Sequence, residues 1–102
     1  MDESQYLKLV DKALEDAALW LESFDPDDVD FATTDGVVTI EFPDGTRFIL
    51  NRQRAANQIW FAAGAEAWHY DWDAGRAAWI ADKGGAELFA HMRACVAKKL
   101  ES

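Results

Sequence analysis

Side chains able to hold a cation crowd one stretch of this chain. Residues 11–30, DKALEDAALWLESFDPDDVD, carry Asp11, Glu15, Asp16, Glu22, Asp25, Asp27, Asp28 and Asp30 against a single Lys12. Carboxylate oxygens unaccompanied by thiolates suit hard cations such as Mg2+, Ca2+, Mn2+ and iron. The spacing is not that of an EF-hand loop: where the sixth-position Gly should follow Asp25 there is Val29 or Asp30, and no closing Glu comes after. On a helix advancing about 100° per residue, Asp11, Glu15 and Glu22 fall on one stripe, and the loop acids Asp25, Asp27, Asp28 and Asp30 continue from its end. Ligands divided between a helix and a loop form no tight cage, so the expected affinity is modest and room remains for more than one ion. The stripe is also costly. Asp11 and Glu15 are like charges four apart, worth roughly 0.2–0.5 kcal/mol of destabilisation. Glu22 stands at the negative end of the helix dipole.

The charge is concentrated. Residues 1–35 hold eleven Asp/Glu and two Lys, whereas residues 36–102 hold eight of each sign, so the formal charge of −9 resides in the first third. Such a field disfavours nucleic acid, whose binding needs cationic contacts to phosphate. It favours metal cations or a basic protein surface. Taken as residues alone, a run of charge reads first as a solvated helix face that confers solubility.

Other chemistry-bearing residues are sparse. The lone Cys95 excludes an intrachain disulfide framework and a cysteine metal site, and its apolar helical surroundings predict a buried, inert thiol. His69 and His91 read as structural or surface residues. No Ser/His/Asp or Cys/His spacing, phosphate-binding Gly loop, or paired Glu-x-x-His motif of a di-iron bundle is present, so an enzyme is not expected. A ferroxidase or iron-storage protein and a metal-independent acidic interaction module are the alternative readings. The opening MDESQYLKLV lacks a basic and an apolar region, so no signal peptide is expected. No apolar run approaches a membrane span, and the expected compartment is the cytoplasm.

The elements that must position the acids follow from periodicity. Asp2 to Gln5 offers a helix start. Tyr6, Val10, Ala13, Leu14, Ala17, Leu21 and Phe24 then share one face, with Leu19 anomalous on the polar side, and Asp25-Pro26 ends the helix near Glu22 or Ser23. From Val29 the period becomes two. Val29, Phe31 and Thr33 make a first strand, Asp35-Gly36 a type I′ hairpin turn, and Val38, Ile40 and Phe42 a second strand. Pro43-Asp44-Gly45 turns the chain into a third strand, Arg47 to Arg52, with Phe48 and Leu50 inward. Asn51 to Asn57 is read as a polar connection. Gln58 to Ala62 is a fourth strand with Ile59 and Phe61 on one face and Trp60 on the other. Trp68, Tyr70 and Trp72 mark a fifth, Ala77 to Ala81 a sixth. Leu88, Phe89, Met92, Val96 and Leu100 mark a closing helix. Tight turns between consecutive strands predict an antiparallel meander. The expected fold is α+β: a two-layer α/β sandwich, with two helices on one face of a six-stranded sheet and Trp60 on the open face.

Residues 1–102 form one expected domain, and the middle of the chain resembles the frataxin family, in its short bacterial branch. The residues carrying the resemblance are DGVVTIEFPDGTRFILNRQ (35–53), NQIWFAAG (57–64), WHYDW (68–72) and AAWIADKGGAELF (77–89), together with the acidic first helix. The pairing of NRQ with a following QIW is the specific part. The resemblance implies weak binding of ferrous and ferric iron at the acidic ridge, with other divalent cations possible. It also implies a regulatory role in iron–sulfur cluster assembly, through contact with a cysteine desulfurase and its scaffold. A monomer is expected, with metal-induced oligomers left open. By position the ridge is Asp11, Glu22, Asp25, Asp27, Asp28 and Asp30, and Glu15 extends it. Where relatives often carry paired acids late in the first helix, this chain has Ala18 and Leu19. Asn51, Gln53 and Trp60 match residues the family uses for partner contact. Arg52 and Arg54 read as a basic counterpart to an acidic patch on such a partner.

Overall fold

A computed structural model describes residues 1–101. The elements are α1 (Glu3–Leu21), β1 (Asp30–Thr34), β2 (Val37–Glu41), β3 (Arg47–Gln53), β4 (Gln58–Ala63), β5 (Glu66–Asp73), β6 (Ala78–Ala81) and α2 (Leu88–Glu101). A single 3-10 turn, Arg54–Ala56, joins β3 to β4. The six strands form one antiparallel sheet in the order β1-β2-β3-β4-β5-β6, which is the expected meander.

Both helices cover one face of the sheet. The α1 residues Tyr6, Val10, Ala13, Leu14, Ala17 and Leu21 are buried, as the helical spacing predicts. They meet Val38, Ile40, Leu50, Ile59, Phe61, Tyr70 and Trp79 of the sheet and Leu88, Met92 and Val96 of α2 in one continuous core. Burying each such large side chain is worth about 1.5–3 kcal/mol, so this face holds the molecule together. Asp2 caps α1, its carboxylate accepting from the Gln5 N–H at 2.7 Å, and Glu22 forms the C-cap. Leu19 is 61% exposed, so the anomaly in the pattern is a real exposed leucine.

The structure corrects six details. The β3 strand runs on to Gln53, so the polar connection shrinks to the 3-10 turn and Asn57, whose φ of 53° is left-handed. Gly36 has the positive φ expected at the β1–β2 turn. Asp35 does not, because among the described residues only Asn57 and Ala77 do so besides glycines; the turn is therefore not type I′. Thr33 is exposed, since β1 is an edge strand and an open groove lies between α1 and this end of it. Leu100 is exposed at the end of α2. Cys95 is half-buried, and desolvation pushes its thiol pKa up. His91, expected at the surface, is half-buried between α2 and the sheet. Its Nδ1 is hydrogen-bonded to the Tyr70 hydroxyl, and its ring packs edge-on against Trp68 with centroids 4.2 Å apart.

The α2 start went unread in the sequence. The Glu87 carboxylate accepts from the Phe89 and Ala90 N–H groups at 2.8 and 3.0 Å, so Glu87 is the cap that sets where this helix begins.

Candidate functional site

Two surfaces emerge, on different sides of the sandwich. The first is the acidic edge. Asp11 and Glu15 lie one turn apart on the exposed side of α1, and Glu22 caps its end. The loop then presents Asp25, Asp27 and Asp28, and β1 opens with Asp30, all exposed. Local bonds shape this loop. The Asp25 side chain accepts from the Asp27 N–H at 2.9 Å, while its backbone carbonyl accepts from Asp28 and Val29. Asp30 accepts from the N–H of Phe31 at 2.9 Å. Asp25 and Asp30 thus do local structural work besides carrying charge.

The ridge is a row, not a cage. Among the described residues no three His, Cys, Asp or Glu side chains gather as a metal-holding group. Asp30 also alternates with Phe31, which faces the helices, and so points toward the open side of the sheet. Hard, exposed oxygen donors of this kind fit cations that stay largely hydrated and are drawn by the summed field. The described residues offer no preformed polyhedron for a single tightly held ion.

Asp11 is engaged. The Arg52 guanidinium donates to Asp11 at 3.3 Å and to Asp35 at 3.3 Å. Arg52 follows the inward alternation of Phe48 and Leu50, so its side chain lies on the helix side of β3. It is therefore separated from Asn51 and Gln53, which project from the opposite face of the same strand. Arg54, in the 3-10 turn, is exposed and ion-paired with Glu3 at the start of α1.

The second surface is the open face of the sheet. Asn51 pairs across the ladder with Trp60, Trp60 pairs with His69, and Gln53 pairs with Gln58. Trp60 is half-buried there, not fully exposed. Its cover is the His69 ring, stacked at 4.2 Å. The Trp60 indole N–H donates to the Gln58 side-chain oxygen at 3.0 Å, and the Gln58 amide donates to Asp71 at 3.1 Å. Asp71, Gln58 and Trp60 thus form a fixed line of polar and aromatic contacts. His69 lies 3.9 Å from Asp82, which completes the patch at the β6 end.

A buried hydroxyl holds this face in place. Tyr6 of α1 donates to the Gln58 carbonyl at 2.7 Å and accepts from the Gln53 N–H at 3.1 Å. One side chain in the first helix thereby satisfies both ends of the β3–β4 connection. Burial pushes the Tyr6 pKa up, and the Gln53 N–H together with the nearby Arg52 and Arg54 partly offsets it. Gln58, His69 and Asp71 lie within the motifs QIW and WHYDW that carry the resemblance, but they and Tyr6 are not among the expected site residues. For Gln58 and His69 the period-two alternation with Trp60 was the available signal. For Tyr6 there was none, because its partners lie about fifty residues away.

Comparison with known proteins shows the family. The family model for the frataxin-like domain matches residues 1–102. The iron-sulfur cluster assembly protein CyaY of Vibrio vulnificus is 38% identical over 94 residues, covering 90% of this chain and 85% of that relative. Its counterpart in Thioalkalivibrio sulfidiphilus is 49% identical over 61 residues, 60% of this chain and 57% of the relative. The aligned stretch thus spans just over half of that protein. Among solved structures, the frataxin of Psychromonas ingrahamii superposes with a TM-score of 0.86 at 30% identity, covering 97% of this chain and 91% of that one. Trimeric frataxin of Saccharomyces cerevisiae gives 0.62 at 26% identity, covering 99% and 81%. The two helices and the six-stranded meander are therefore shared with a solved relative, and the chain belongs to the frataxin-like family, in the bacterial CyaY branch.

Proposed function

We propose that this chain acts in iron–sulfur cluster assembly as a non-catalytic, iron-responsive regulator. Its curated relatives carry the name iron-sulfur cluster assembly protein, which supports the process. The observation that carries the finer reading is the placement of charge. The whole formal net charge falls in residues 1–35, and the structure sets the acids of α1 and its following loop along one edge. Iron is the cargo or signal here. Asp11, Glu15, Glu22, Asp25, Asp27, Asp28 and Asp30 attract it weakly through hard oxygen donors, other divalent cations competing. A basic surface of a cysteine desulfurase, or of the scaffold beside it, would meet the same edge. Asn51, Gln53 and Trp60 would supply a second, less charged contact, since an aromatic group in a polar surround is the usual anchor of an interface. Arg54 belongs beside this contact, at the end of the β3–β4 hairpin. Arg52 does not, because its guanidinium is committed to the helix side.

The decisive experiment is desulfurase binding and cysteine turnover measured with this chain, with and without ferrous iron under anaerobic conditions. An effect on turnover that changes with iron supports the regulator. Binding that ignores iron would reduce the chain to a metal-independent acidic module. In a parallel aerobic assay with ferrous iron, oxygen consumption with stoichiometric ferric product would instead establish a ferroxidase.

A further inference from the structure

Asp11, expected to serve a cation, and Arg52, expected to serve a partner, are bound to each other. One guanidinium is divided between two carboxylates on two elements: Nη1 to Asp11 on α1 and Nη2 to Asp35 in the β1–β2 turn, both at 3.3 Å. The Arg52 side chain is 16% exposed, against 60% for Asp11 and 93% for Asp35. The positive group is thus the sheltered member and the negative groups are the accessible ones. The backbone fixes the arrangement further. The Arg52 N–H donates to the Gly36 carbonyl at 2.8 Å, and a Cβ at Gly36 would stand 3.0 Å from the guanidinium carbon. Glycine at the turn therefore permits the positive φ and also leaves the space in which the guanidinium lies. Beside the fork runs a groove of about 290 Å3 between α1 and the β1–β2 hairpin, lined in part by Asp11, Glu15, Ala18, Thr34 and Asp35.

We propose that Arg52 is a built-in counter-ion that latches the α1 end of the ridge to the β1–β2 turn, and that a cation using Asp11 must displace it. The inference rests on the cation-binding reading above and specifies how one part of that ridge is regulated. Wild-type protein offers a cation the Glu22-to-Asp30 segment first, and Asp11 and Asp35 only as the fork opens. Because Arg52 lies between Asn51 and Gln53 in β3, opening the fork alters the strand that carries the partner face. Charge alone does not produce this order. It comes from a planar fork engaging two carboxylates at once, which a lysine ammonium does not reproduce.

The test is Co2+ titration of the whole chain, followed by calorimetry and by backbone amide NMR. The variants are Arg52→Gln, Arg52→Lys, the Asp11→Asn/Arg52→Gln double variant, and Arg93→Gln, which removes an equal charge from α2. Arg52→Gln is expected to bind Co2+ about threefold to tenfold more tightly than wild type, with new shifts at Asp11 and Gly36, as loss of a near cation in a partly screened site implies. The double variant should lose that gain. Arg93→Gln should stay within about twofold of wild type, as expected for an exposed, screened charge on the other helix. Arg52→Lys should give a smaller gain, and it carries the comparison should Arg52→Gln fail to fold. Equal Co2+ affinity in wild type and both Arg52 variants overturns the latch alone, as does an equal gain from Arg93→Gln. No binding in any of the proteins overturns the cation-binding reading and the latch with it.

Discussion

At the scale of single residues, Tyr6 ties the first helix to both ends of the β3–β4 connection. Its hydroxyl serves a donor and an acceptor of the β3–β4 connection from a fully buried position. Removing it leaves the Gln53 N–H and the Gln58 carbonyl with nothing in exchange. Tyr6→Phe should therefore cost about 1–3 kcal/mol, the usual cost of orphaned buried polar groups, measured as a lower urea midpoint at unchanged slope. The same residue predicts alkaline behaviour. Burial raises the pKa values of Tyr6, Tyr70 and Cys95 in the folded chain. A raised folded pKa means that the unfolded chain loses these protons first as pH climbs. Stability is thus fully present below the unfolded values, 9.0 for the thiol and 10.0 for the phenols, and drains away as pH rises through the folded ones. Chemical denaturation between pH 8 and 11 should show that decline, and Tyr6→Phe should flatten it in part. A stability independent of pH across that range would contradict the burial of these groups. None of this was legible in the sequence beyond Tyr6 belonging to the apolar face, because a hydrogen bond between residues some fifty positions apart leaves no local trace.

At the scale of elements, legibility tracked periodicity. All of α1's inward face, the inward residues Val38, Ile40, Phe48, Leu50, Ile59 and Phe61, and the order of the six strands follow from spacing alone. Errors fell where tertiary context overrode pattern. Strand β3 continues past Arg52 to polar Gln53 because β4 pairs with it through Gln58 and Tyr6 accepts its N–H. His91 looked peripheral on a short helix but had a tyrosine hydroxyl beneath it. The candidate site was readable as a set of acids and an aromatic face, but not in its internal bonding. Two predictions belong to this scale. Glu22 caps α1 at its C-terminal end, and that last turn contains no basic residue. Glu22→Gln should stabilise the chain by about 0.3–1 kcal/mol through relief of the dipole clash, read as a raised thermal midpoint. At the other helix, Glu87 satisfies two N–H groups of the α2 first turn. Glu87→Ala should cost about 1 kcal/mol, with amide exchange accelerated first at Phe89 and Ala90. A Glu87→Ala chain as stable as wild type would show that α2 is held by its apolar contacts alone.

At the scale of the whole molecule, the acidic edge and the open sheet face are held by one core yet differ in physics. The edge attracts through charge spread along α1 and its loop, and exposed charges separated by more than about 8 Å are screened at physiological salt. The sheet face offers Trp60 stacked on His69 and tied to Gln58, a contact whose worth lies in desolvation and shape. On the proposed function, the two contributions to partner binding should therefore separate by ionic strength. With cysteine desulfurase as partner, the combined Glu15→Gln, Glu22→Gln and Asp25→Asn variant should bind weakly at low salt. Its deficit relative to wild type should shrink as salt is raised, because wild type loses the same attraction by screening. Asn at position 25 retains an acceptor for the Asp27 N–H, so the loop should keep its shape while its charge falls. Trp60→Ala should bind less well by a factor that stays nearly constant across the same salt series, and its affinity for ferrous iron should match wild type. Calorimetry at four or five salt concentrations measures both behaviours. Parallel salt curves for wild type and the acid-neutralised chain would mean that the edge takes no part in docking, and a Trp60→Ala deficit that vanishes with salt would mean that the indole acts only by positioning nearby charge.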